Sequence, residues 1–112
     1  MTTRVAHKPT VPDDLLRPVV AYFNPRRVIL FGSAARGEAG PGSDLDLLVI
    51  VDDDTPPEKL TARAGWESRR GYSRSPVDVI PCREQTYWEE ADIVGTLPYA
   101  ASREGIVVYE RG

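Results

Sequence analysis

Cysteine and histidine are almost missing from this chain of 112 residues, which holds one of each, Cys82 and His7. A lone thiol excludes an internal disulfide framework and suits a reducing compartment. His7 lies in a polar leader with two prolines, expected to fray or lie as an extended arm, so it reads as a bystander and not as a ligand. Long apolar runs are missing as well. No stretch approaches the roughly 20 residues of a spanning helix, and the start of the chain lacks the apolar segment of a signal peptide. These absences lead to the expectation of a cytoplasmic protein that makes no use of a membrane. A field of one sign is also lacking: 14 basic residues are interspersed with 17 acidic ones, for a net charge of −3. Long nucleic acid, which is held by counterion release to clustered cations, is therefore a poor candidate partner. The length allows one domain with a modest core and leaves no room for a second, substrate-recognising one. Residues 1–12 are expected to form the arm and residues 13–112 the domain.

What is present alternates between helical and strand periods. Leu15, Leu16, Val19, Val20 and Phe23 line one face of a helix that begins with Asp13 as its N-cap. Pro18 is expected to kink or shorten it at Arg17, and Asn24-Pro25 to end it. Residues 28–31 and 44–51 read as strands, and Pro56-Pro57 lead into a helix over about 58–70 whose amphipathic pattern is poor, with Leu60, Ala64 and Trp66 as its main apolar residues. A third strand, PVDVIP, covers 76–81. Residues 83–91 read as a helix in which Tyr87 and Trp88 seal a core edge, with Cys82 a half-buried thiol at the strand exit. A last helical turn or two ends on Gly105 as C-cap before a closing strand at 106–109. The sum is an α/β (α+β) domain, a small mixed sheet flanked by helices.

The stretch VILFGSAARGEAGPGSDLDLLVIVDDD at 28–54 carries the chemistry. A strand sends alternate residues to opposite faces, so Asp44 and Asp46 share one face while Leu45 and Leu47 share the other. Two carboxylates about 7 Å apart along a strand repel each other unless a cation lies between them. Aspartate oxygens suit Mg²⁺, which keeps several waters and completes its shell from substrate phosphates. A triphosphate is therefore implied nearby. Gly32 ends the first strand where the backbone must take a positive φ or approach something closely, and Ser33 is suited to cap a short helical stretch, Ala34-Ala35-Arg36. The N–H groups at such a start bind phosphate, and Arg36 can add a charge-assisted fork. These halves face each other only if the first two strands are antiparallel, which the short connection requires.

Asp78 interrupts the apolar third strand, where an acid costs burial free energy unless it is compensated. The connection from the second strand contains a helix, so these two strands run parallel with their beginnings aligned, and Asp78 lies beside Asp44 and Asp46. The alternative is that all three are ordinary polar strand residues. Asp52, Asp53 and Asp54 are read differently, as a solvated turn a strand's length from Gly32. Arg63, Arg69, Arg70 and Arg74 form either a solvated face or a patch that steers phosphate or docks a partner.

Gly32-Ser33, ten residues, then Asp44-Leu45-Asp46, with the flanking Ala-Arg-Gly, Ser-Asp and apolar run, resemble the signature of the DNA polymerase beta type nucleotidyltransferases in their minimal form. The tail, with SREGIVVYE at 102–110, resembles the ending of bacterial minimal nucleotidyltransferases encoded beside a HEPN-domain partner. The resemblance implies a polymerase-beta-like fold in which Asp44 and Asp46 hold two Mg²⁺ ions and Asp78 holds the one that activates the acceptor. It implies further that Gly32 and Ser33 cradle the phosphates of ATP and that Arg36 sits near them. Position 34 is Ala where relatives frequently carry a larger side chain, so any contact made there is absent. The activity implied is transfer of AMP from ATP to a tyrosine of a HEPN ribonuclease toxin, in a hetero-oligomer where this chain is the antitoxin. Two alternatives stand beside it, neutralisation of that partner by contact alone and a free-standing transferase with a small-molecule acceptor.

Overall fold

The structure, a computed structural model, describes residues 11–37 and 44–112. Most of the expected arm, with His7, and the polar excursion at 38–43 lie outside the described residues.

Helix α1 (Asp13–Phe23) buries Leu15, Val19 and Phe23. Its capping residue is Pro12, one position before the expected Asp13, and the Pro12 carbonyl accepts from Leu15 and Leu16 at 3.0 and 2.9 Å. Asp13 and Asp14 instead occupy the first turn, where carboxylates favour the positive end of the helix dipole. Pro18 does not shorten the helix. It and Asp14, whose carbonyl loses its donor, both face solvent, where water can serve that oxygen. Asn24, at φ 46°, closes the helix and returns its N–H to Val20.

Strands β1 (Arg27–Phe31) and β2 (Leu45–Val51) are antiparallel, as the short connection requires, with Leu30 opposite Leu47 and Phe31 opposite Asp46. Strand β3 (Val77–Arg83) runs parallel to β2, and β4 (Ile106–Glu110) pairs antiparallel with the other side of β1, giving the order β3-β2-β1-β4. This is a mixed sheet with helices on both faces. Val28, Leu30, Leu47, Val49, Val51, Val77 and Val79 pack towards α1 and α2 (Ala62–Arg69). Ile29, Phe31, Leu48 and Ile50 pack on the other face with Tyr87 of α3 (Glu84–Glu90) and Ala101 of α4 (Leu97–Glu104). Because β2 is covered on both sides, its run from Leu47 to Val51 is apolar at every position, and each such side chain contributes about 1.5–3 kcal/mol by burial.

The crossover between β2 and β3 differs from the expected single helix. A 3-10 turn (Pro57–Lys59) comes first, and α2 starts at Ala62 because the Thr61 hydroxyl caps it, accepting from the Ala64 N–H at 3.0 Å. Gly65, inside α2, is explained by packing: a Cβ there would stand 2.0 Å from the Val79 carbonyl oxygen. The Gly105 N–H does donate to the Ala101 carbonyl, but its backbone is extended; a Cβ there would meet that carbonyl at 2.3 Å and Ile29 at 2.4 Å. Tyr87 is buried, whereas Trp88 stays exposed and so does not seal the core edge. No helix among the described residues is long and apolar enough to cross a membrane.

Candidate active site

The register of β2 and β3 sets Asp46 directly beside Asp78 on the neighbouring strand, with Leu45 beside Val77. In-register neighbours point to the same face, about 4.8 Å apart, and Asp44 lies two residues before Asp46 on that face. The three acids thus lie on the side of Leu48, Ile50 and Ile80, at the strand starts, beyond the residues that pack with Tyr87 and Ala101. Asp44 and Asp78 are exposed and Asp46 is half-buried.

The first strand ends against this group. Gly32 has φ 79°, and a Cβ built on it would stand 2.5 Å from Asp46 Oδ2, so both reasons for a glycine apply: a left-handed backbone and a close approach. The helical stretch expected at 34–36 is a turn and not a helix. The Gly32 carbonyl accepts from Ala35 at 3.1 Å and from Arg36 at 3.2 Å, and Gly37 closes a further turn onto Ala34. Ser33 therefore caps no helix. Its N–H and that of Ala34 still stand at the start of a helical turn, where the geometry provides no acceptor within the turn. Ala34 and Ala35 are buried and pin the turn to the α1 side of the core. Arg36 pairs with Glu104 of α4 at 2.9 Å, an exposed contact between the loop and the helix before β4.

Among the described residues no cation or hydrogen-bond donor contacts Asp44, Asp46 or Asp78. Burial, followed by the charges of Asp78 and Asp44, pushes the Asp46 carboxyl above its ordinary range, and no basic group among the described residues offsets this. Nor do any three His, Cys, Asp or Glu side chains among the described residues form a ready-made metal cage. The donor set fits Mg²⁺ all the same. Hard carboxylate oxygens held next to one another, with no counter-charge among the described residues, suit an ion that arrives with its waters and with substrate phosphates.

A family model for the nucleotidyltransferase domain matches residues 13–95, most of the chain. The chain belongs to the nucleotidyltransferase domain family. A search of curated proteins returns no significant match. Among solved structures, a putative nucleotidyltransferase from Sulfolobus solfataricus superposes with a TM-score of 0.55 at 22% identity, covering 88% of this chain and 77% of that one. At that identity the likeness is one of fold.

In this nucleotidyltransferase domain the acids at the other end of β2 have a different setting. Asp52 accepts from Arg26 at 2.7 Å and from Arg111 at 2.9 Å, which holds its carboxyl below the usual range, and Asp53 accepts the Gln85 N–H at the start of α3. The arginines of the crossover divide similarly. Arg74 makes a two-pronged pair with Asp14 of α1, and Arg69 donates to the Val77 carbonyl at 3.4 Å, so both brace the fold, while Arg63 and Arg70 remain exposed around Glu67. One feature of the site escaped sequence reasoning. A cavity of about 300 Å³ lies beside Asp78, lined by Leu60, Thr61, Trp66, Ile80 and Pro81 among others. The available signal was Trp66, one of the main apolar residues of an ill-patterned helix, which is half exposed.

Proposed function

We propose that this domain transfers AMP from ATP to a hydroxyl on a partner protein, the acceptor being a tyrosine of a HEPN ribonuclease toxin and the transfer being the means by which this chain acts as antitoxin. The observation that carries the reading is the alignment of Asp46 with Asp78 across two strands, with Asp44 alongside and Gly32 against Asp46, in a group that no cation among the described residues contacts. Asp44 and Asp46 would hold two Mg²⁺ ions and Asp78 one of them. When bound, the ions supply charge neutralisation at the attacking and leaving oxygens of an in-line displacement. The chain's own residues do the rest. The turn at Gly32 and Ser33 receives the triphosphate with backbone N–H groups, the glycine letting phosphate come near Asp46. Asp78, on the strand farther from the glycine corner, faces the acceptor and takes its proton. Arg36, held by Glu104 at the rim, adds positive charge beside the triphosphate.

A second reading, neutralisation by contact, is favoured by a separate observation: Trp88, Ile93, Val94 and Leu97 are all exposed around the turn between α3 and α4. Incubating the protein with its partner, Mg²⁺ and labelled ATP tests both. Label on a partner tyrosine, abolished by Asp44→Asn together with neutralisation, supports the transferase; full neutralisation by Asp44→Asn supports the contact reading.

A further inference from the structure

The cavity beside Asp78 lies along the outer side of β3, an edge strand, where it is bounded by the start of α2. An exposed edge ordinarily invites another strand, but this one is blunted. In a parallel pair alternate residues turn their backbone groups outward. Here the Val77 carbonyl is taken by Arg69, the Val79 carbonyl is pressed by Gly65, and Pro81 has no N–H. Strand addition is thus disfavoured, and what remains open is a side-chain-sized hollow. Its walls are apolar, with Leu60, Trp66, Ile80 and Pro81, and Thr61 and Asp78 are the polar side chains among its lining residues. A volume of about 300 Å³ lies at the small end for ligand sites and suits one ring better than a nucleoside. A sugar would bring several hydroxyls that such walls leave unpaired, whereas a phenol brings one.

We propose that this hollow is the acceptor subsite and that it selects a tyrosine side chain, with Trp66 as the surface on which the ring rests and Asp78 at the hydroxyl. The proposal rests on the transferase reading above and adds a specificity-determining residue to it. In the reaction the phenol oxygen forms a bond to the α-phosphorus of the nucleoside triphosphate while the bond from that phosphorus to the bridging oxygen breaks. Pyrophosphate leaves with the electron pair, and the phenol proton passes to the Asp78 carboxylate. An aromatic hydroxyl is favoured over serine or threonine because a short stem cannot reach Asp78 and fill the hollow at once.

The test uses N-acetyltyrosinamide and N-acetylserinamide as acceptor probes. Binding is followed through the Trp66 indole N–H resonance in a Trp88→Phe background, and transfer is followed with labelled ATP and Mg²⁺. The tyrosine probe is expected to shift the Trp66 signal saturably and the serine probe to leave it in place. Trp66→Ala is expected to raise the acceptor KM about tenfold with the affinity for Mg·ATP within about twofold, and Trp66→Phe to restore most of it. Transfer to the tyrosine probe that is indifferent to Trp66→Ala overturns the proposal, as does an equal shift from the serine probe. A wild-type protein that binds no Mg·ATP and transfers nothing, yet still takes the tyrosine probe at Trp66, sinks the transferase reading and leaves the ligand class of the hollow standing. Trp66 is half exposed, so its truncation leaves the core intact, which the circular dichroism spectrum checks.

Discussion

Strand β2 carries acids at both of its ends, and the two ends treat them in opposite ways. At the far end Asp52 is shared by Arg26 and Arg111, Glu84 stands near Arg26 and Arg27, and Asp53 receives the start of α3. At the near end Asp44, Asp46 and Asp78 face one another with no cation from the described residues, and Asp46 is driven upward where Asp52 is driven downward. Acids that the protein itself pairs serve its architecture. Acids crowded together without a cation among the described residues repel one another, a repulsion that a bound cation would relieve, which is the basis of the site proposed above.

The largest effect expected from breaking this contrast is on transfer. Asp44→Asn or Asp46→Asn should lower it by at least about a thousandfold, as measured with labelled ATP. The same Asp46→Asn should raise the melting temperature of the metal-free protein, since it removes a crowded charge. Mg·ATP should stabilise the wild type by mass action and the Asn variant far less. Wild-type turnover by either variant would end the proposed role of these acids.

Gly32→Ala comes next. It places a Cβ on Asp46 Oδ2 and forces a left-handed backbone, so folding stability in denaturant titrations should fall by about 1–2 kcal/mol from the backbone alone, and transfer should fall with it. Gly65→Ala should cost about 1–3 kcal/mol by driving α2 off the Val79 carbonyl, with the melting temperature as the measure.

The far end should give the reverse pattern, with smaller changes. Asp52→Asn is expected to lower the melting temperature modestly, because both of its arginine partners lose the charge they pair with, and to leave transfer unchanged. The dependence on pH separates the ends further. Asp52, with its carboxyl lowered by folding, contributes stability that is present above the ordinary carboxylate range and lost as pH falls through it. Asp46, raised by folding, has the opposite sign: the folded state binds its proton more tightly, so stability falls as pH rises from the ordinary carboxylate range through the raised value. Thermal melts of each Asn variant across the acid range should flatten one of these slopes and spare the other.

The smallest expected effect is a reactivity. Burial and the charge of Glu90 push the Cys82 thiol up to about 11 from 9.0. At pH 8 its thiolate fraction, and hence its alkylation by iodoacetamide, should be about a hundredfold below that of the unfolded chain.

The strands, the antiparallel pairing of the first two and the placement of Asp78 beside Asp46 were legible in sequence because each follows from a local constraint. The period of two fixes which side chains share a face, a short connection fixes antiparallel pairing, and a helical crossover fixes parallel pairing. Three details were not legible. The turn after Gly32 looked like a helix start because Ser33 suits a cap, yet the segment closes as a turn on the Gly32 carbonyl, and Arg36 finds Glu104, 68 residues away. Pro18 looked like a break because sequence does not say which carbonyl faces water. Trp66 was legible only as an apolar residue of a poorly patterned helix, and its exposure depends on how α2, with Gly65 against the Val79 carbonyl, seats on the edge of β3.

By itself the sequence determined the strands, the pairing of the first three and the set of acids that share one face at their starts, all of which depend on periods of two residues and on the lengths of connections. Tertiary structure alone decided which acids were neutralised. Arg26 and Arg111, far apart in the chain, reach Asp52, and no basic residue among those described reaches Asp46. The physical reason is range: alternation along a strand is local, whereas a charge is compensated by whatever the fold brings within a few ångströms of it, however distant in the chain.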